Sequence, residues 1–125
     1  MFNASKTKNN KEVVNLEFLI ETKFDGASNS WNVKISGEVD LFNSGEMKTK
    51  LLSILEKKPA DIIIDCSSLD YIDSTALGAL VAVLKNTKEY GYSVCLKKIK
   101  PNIEKLFRIT NLNKVFQIEG DQHDD

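Results

Sequence analysis

Asp61 to Asp65 reads DIIID, and this stretch constrains the fold more than any other in the chain. Its β-branched run has no polar interruption, as expected of a central strand buried on both faces of a parallel sheet. A parallel neighbour requires a long crossover, usually a helix. The sequence offers one on each side. Upstream, Met47, Leu51, Ile54 and Leu55 recur at helical spacing. They follow Asn43-Ser44-Gly45-Glu46, a capping-box pattern, and end near Lys57-Lys58-Pro59. Downstream, a second helix is expected from about Ser74 to Glu89, stopped by Gly91.

The flanks extend this alternation. Val14, Leu16, Phe18 and Ile20 alternate with polar residues, Leu19 excepted, and FDGASNS follows with turn chemistry. Trp31, Val33 and Ile35 then alternate with Asn32, Lys34 and Ser36. Together these predict an antiparallel hairpin. Tyr92 to Lys98 reads as another strand, and Pro101 suits a first helical turn. Ile103, Leu106, Phe107 and Thr110 mark a third helix face, before a short strand or extended tail around Val115 to Ile118. The order β-β-α-β-α-β-α predicts one α/β domain. Its mixed sheet would have four or five strands, with helices packed mainly on one face. The domain is expected over residues 13–118, between a polar N-terminal arm (1–12) and an acidic tail (119–125).

Composition narrows the function. A net charge of −1 gives no electrostatic case for nucleic acid or an acidic membrane. No apolar run is long enough to span a bilayer, and MFNASKTKNNKE lacks the apolar segment of a signal peptide, so a cytoplasmic protein is expected. Cys66 and Cys95 have no CxxC spacing and lie in or beside apolar runs. They read as buried reduced thiols, with a disulfide or metal site as the alternative. The sole histidine, His123, lies in the tail. A Ser–His or Cys–His nucleophile therefore lacks a general base, and no catalytic residue, metal or cofactor is expected.

Asp73-Ser74-Thr75 stands at the mouth of the second helix. Unpaired N–H groups and the helix dipole favour negative charge there, so Asp73 or Ser74 as N-cap explains these residues without any function. The same place would tolerate a phosphate on Ser74. On a helical wheel Leu77, Leu80, Val81, Leu84 and Lys88 share one stripe, of which the leucines and Val81 read as core. Opposite lie Thr75, Ala79, Ala82 and Asn86, flanked by Gly78 and Val83. This smooth face either packs under another element or is kept flat for a partner. Gly78, costly inside a helix, points to the close approach of something.

The DIIID strand, SLDYIDSTALG and the upstream Gly37-Glu38-Val39-Asp40 together resemble the STAS domain of bacterial anti-sigma factor antagonists. In that family an Asp-Ser-Ser/Thr-Gly-Leu-Gly run opens a helix after a strand, and a Gly-Glu-Leu/Ile-Asp loop precedes it. KPNIEKLFRITNLNKVFQI resembles the family's last helix and strand. Ala76 departs from the pattern, which has glycine there. The resemblance implies a binding protein without enzymatic activity. Its unmodified form would bind an anti-sigma factor that is also a serine kinase, releasing a sigma factor. Phosphorylation at Ser74 would dissociate the complex, and a serine phosphatase would restore it. Nucleotide and metal would belong to those partners. The partner-binding residues it implies are Asp40, Asp73, Ser74, Thr75, Gly78 and Ala79.

Three other readings remain. A response-regulator receiver would use Asp65 with Lys97 or Lys98, but the paired acidic cluster for Mg²⁺ after its first strand is absent. A small enzyme would gather Asp40, Asp65 and Asp73 at strand ends, yet no glycine-rich phosphate loop accompanies them. A STAS module in a transport accessory protein or sensor scaffold also fits the sequence.

Overall fold

The computed structural model describes residues 18–120; Val14, Leu16, His123 and the proposed arm 1–12 lie outside them. Strands β1 (Phe18–Asp25) and β2 (Ser30–Val39) form the expected antiparallel hairpin, with Phe18 opposite Gly37 and Asp25 opposite Ser30. Asp25 closes its turn. It accepts the Ala27 N–H at 3.0 Å and the Ser28 hydroxyl at 2.9 Å, and these bonds hold its carboxyl below the usual range.

The chain continues through α1 (Ser44–Lys57), β3 (Asp61–Asp65), β4 (Leu69–Ile72), α2 (Ser74–Glu89), β5 (Val94–Ile99), α3 (Pro101–Ile109), a short 3₁₀ turn and β6 (Gln117–Gly120). The main sheet runs β1-β2-β3-β5-β6, parallel from β2 onward, and β4 pairs with the far end of β2. The mixed sheet thus has six strands where four or five were expected. The addition is β4, whose Leu69-Asp-Tyr-Ile72 is buried only at its two ends and carries no alternating signal. β6 extends to Gly120, past the domain boundary expected at residue 118.

Gly37 makes the split pairing of β2 possible. It has φ 94°, a conformation glycine adopts without steric cost, and its N–H reaches Ser68 O at 2.8 Å. Residues 30–34 pair with β3 and residues 37–39 with β4, with the register shift between Gly37 and Glu38. Gly37-Glu38-Val39, expected in a loop, is therefore a kinked strand end.

Alternation places Trp31, Val33, Ile35, Ile62, Ile64, Val94 and Leu96 on one face of the sheet, all buried. Met47 and Leu51 of α1, Leu80 and Val83 of α2, and Ile103 and Phe107 of α3 join them in one core. The Phe107 and Phe116 rings meet edge to face at 5.3 Å. The opposite face, with Asn32, Lys34, Ile63, Asp65 and Lys97, carries no helix among the described residues. β3 is thus buried on one face only, and Ile63 is half-buried. The expected burial on both faces fails because all three helices pack on the same side. Among the described residues no helix is long and apolar enough to cross a membrane.

Two helix details differ from expectation. Asn43 does not cap α1 with its side chain. Its Oδ1 instead accepts the Asp40 N–H at 2.8 Å, and its Nδ2 donates to Glu38 O at 3.0 Å. In α2 the buried positions are Ala76, Ala79, Leu80, Val83, Leu84 and Thr87, whereas Leu77 and Val81 are only half-buried. The packed stripe is rotated relative to the wheel reading because α1 lies alongside, and small Ala79 lets the two helices approach. The helix ends as expected at Gly91, φ 89°, with Gly91 N–H to Lys88 O at 2.9 Å and Tyr92 N–H to Thr87 O at 3.0 Å. These are the two bonds of a Schellman cap. Both cysteines are free and buried, and burial with the nearby Asp65 pushes the Cys66 thiol up to about 12.

Candidate functional site

Asp73, not Ser74, is the N-cap of α2. Its Oδ1 accepts the Ala76 N–H at 2.9 Å and the Thr75 hydroxyl at 2.6 Å. Its Oδ2 accepts the Leu41 N–H at 3.0 Å, from the loop after β2. Its own N–H bonds Val39 O at 3.2 Å. The Thr75 hydroxyl and the Ala76 and Leu41 N–H groups stabilise the carboxylate and hold its pKa below the usual range.

The loops carrying Asp40 and Asp73 are therefore neighbours, because β2 and β4 pair in parallel and end side by side. The Asp40 side chain serves its own turn: Oδ1 accepts the Phe42 N–H at 2.9 Å, and its backbone carbonyl accepts Asn43 and Ser44 N–H. This fixed turn presents Leu41 and Phe42 outward, 65% and 91% exposed. Sequence reasoning missed both. The available signal was an apolar pair directly after the strand, where turn residues are usually polar.

Ser74 is the first residue of α2 and is exposed, and among the described residues no side-chain hydrogen bond engages its hydroxyl. Thr75, also exposed, has its hydroxyl committed to Asp73. Gly78 lies one turn further along, and a Cβ built on it would meet nothing within 4 Å. No internal element therefore demands a glycine there. Ala79 is different: at 8% exposure it is buried, so of the two readings of its face the packed one holds there, and its place among the partner-binding residues implied by the resemblance is corrected. Ala76 is fully buried and belongs to the core.

A shallow cleft of about 270 Å³ separates the first turns of α1 and α2, lined by Ser44, Gly45, Lys48, Thr75, Gly78 and Ala79. Residues of the first turns of both helices line it, with Lys48 as its cationic side chain. Added negative charge is electrostatically tolerable there. Among the described residues no group of three His, Cys, Asp or Glu side chains could hold a metal ion.

These features define a class of protein: a small α/β domain with helices on one sheet face and an exposed serine at the mouth of a helix beside a projecting loop. The STAS domain profile matches residues 25–124, and the chain belongs to the STAS domain family. It is 33% identical over 92 residues to the anti-sigma-B factor antagonist of Bacillus subtilis strain 168, covering 74% of this chain and 84% of that one. Its fold is similar to that of an anti-sigma factor antagonist from Mycobacterium paratuberculosis, with TM-score 0.64, 23% identity and coverage of 81% and 86%. It is also similar to the Bacillus cell fate determinant SpoIIAA in the phosphorylated form, with TM-score 0.62, 18% identity and coverage of 81% and 89%.

Proposed function

We propose that this chain is a cytoplasmic anti-sigma factor antagonist. In its unmodified form it binds an anti-sigma factor that is also a serine kinase, and so releases a sigma factor. Phosphorylation of Ser74 ends the binding, and a serine phosphatase reverses it. The chain acts by binding; ATP belongs to the kinase.

The observation that carries this reading is the unequal state of two adjacent hydroxyls. Thr75 Oγ1 donates to Asp73 at 2.6 Å, whereas the exposed Ser74 hydroxyl has no such tie. Ser74 is thus the group a kinase can reach without dismantling the helix cap. A phosphate there adds about −1.5 to −2 charges beside Asp73 while leaving the core untouched. The partner surface in this reading is Asp40, Asp73, Ser74, Thr75 and Gly78, extended by Leu41 and Phe42. Exposed Gly78 lets the partner backbone lie close, and the apolar pair supplies desolvated contact area. The family membership and the name of the Bacillus subtilis relative support the same reading.

The test is capture from the native cell with the unmodified chain as bait, followed by ATP addition and phosphopeptide sequencing. The expected result is a co-captured anti-sigma factor kinase, released by ATP, with phosphate on Ser74. Phosphate on Thr75 alone would remove the assignment to Ser74. Capture of a transporter or sensor complex in place of a kinase would assign the chain to another STAS assembly.

A further inference from the structure

The helix-free face of the sheet carries a groove of about 470 Å³, within the size range of small-molecule sites. Lys23, Lys34, Lys97 and Lys98 line it, with Glu21 and Asp65. Four ammonium groups against two carboxylates leave a formal charge of +2. Among the described residues the salt bridges are Lys100–Asp70 and Arg108–Glu104, so no groove lysine is paired across the groove. Asp65 Oδ1 accepts the Ser67 N–H at 2.9 Å; against the opposing effect of burial, that bond and the nearby Lys98 and Lys34 hold its carboxyl below the usual range, so Asp65 offsets part of the groove's positive charge.

The backbone supplies a second, independent observation. Lys98 has φ 57°, a left-handed conformation that is uncommon for a side chain of this size. It sits where the β5–β6 register shifts between Lys97 and Ile99. In a regular strand consecutive residues point to opposite faces; this bulge lets Lys97 and Lys98 both line the groove. An unfavourable backbone conformation here gathers positive charge, although glycine would fit the bulge better.

We propose that this groove binds a small phosphate-bearing anion carrying at least two negative charges. Flexible ammonium groups act as point charges and suit tetrahedral oxyanions in several orientations. The net charge calls for at least a dianion. Half-buried Ile63, also in the lining, provides an apolar floor for the carbon part of such a ligand. The groove lies on the opposite sheet face from α1 and α2, so it is separate from the Ser74 surface and does not depend on its assignment.

The probe is inorganic pyrophosphate at low ionic strength, followed by titration calorimetry and amide ¹⁵N–¹H shifts. The expected result is saturable binding with shifts confined to residues 21–23, 32–34, 63–65 and 97–98. Lys98→Gly should weaken binding roughly fivefold or more. Its melting temperature should match or exceed that of the parent, because glycine accepts the left-handed backbone. Lys48→Gln, on the other side of the molecule, should bind like the parent. The proposal is overturned if pyrophosphate does not saturate, if Lys98→Gly binds unchanged, or if Lys48→Gln weakens binding equally.

Discussion

The carboxylate of Asp73 receives the backbone N–H of Leu41 at 3.0 Å, across 32 positions of sequence, while its other oxygen caps α2. One side chain therefore sets the projecting loop against the helix mouth. The Ser74 hydroxyl and the Leu41-Phe42 pair are held in fixed relation by this carboxylate and by the Asp73 N–H bond to Val39 O.

Replacing Asp73 should loosen both elements. Asp73→Ala is expected to lower the melting temperature. Asp73→Ser, which keeps a cap acceptor but not the second oxygen, should recover part of the loss. Acid provides a second reading. The folded-state pKa of Asp73 is depressed, so its contribution is fully present above the unfolded value and is lost as pH falls through the folded one. Melts of the parent should therefore decline more steeply below about pH 4 than melts of Asp73→Asn. Some acid sensitivity should remain, because Asp25 and Asp65 are depressed as well.

Gly78 and Ala79 are adjacent yet should behave oppositely. Gly78→Arg has open space and should fold normally while blocking the proposed partner face. Ala79→Arg must place a long charged side chain at a site only 8% exposed. It should destabilise by about 1–3 kcal/mol or more through overpacking. Thermal melts separate the two variants before any binding experiment. A stable, normally folded Ala79→Arg would contradict the packing of α1 on α2.

Such contrasts mark where the sequence was legible. The DIIID run, the hairpin alternation, the Ser74–Glu89 helix and the Gly91 stop all carry strong local signals, and the structure has each of them. β4 was not legible, because a strand of four residues buried only at its ends has no period to detect. The orientation of α2 was hidden for another reason. Its face is apolar or small nearly all round, so only the position of α1 decides that Val83 is buried and Val81 half-exposed. At the site, Asp73 and Ser74 stood out through cap chemistry. The commitment of the Thr75 hydroxyl and the exposure of Phe42 depend on contacts that no local pattern encodes.

Phe42 offers the cleanest separation of binding from folding. Its side chain is 91% exposed, so Phe42→Ala should melt like the parent. It should nonetheless weaken binding to the anti-sigma factor kinase by about 1–3 kcal/mol if it fills a central pocket there. Unchanged affinity would remove the loop from the interface while leaving Ser74 in place.

Modification at Ser74 is expected to control partner binding without disturbing the fold. Titration calorimetry of the anti-sigma factor kinase, with the unmodified chain and with the chain phosphorylated at Ser74, tests it most directly. Tight binding of the unmodified form is expected, with a loss of at least roughly tenfold in affinity for the phosphorylated form. Circular dichroism melts of the two forms should coincide to within a few degrees. Equal affinity for the two forms would rule out Ser74 as the switch.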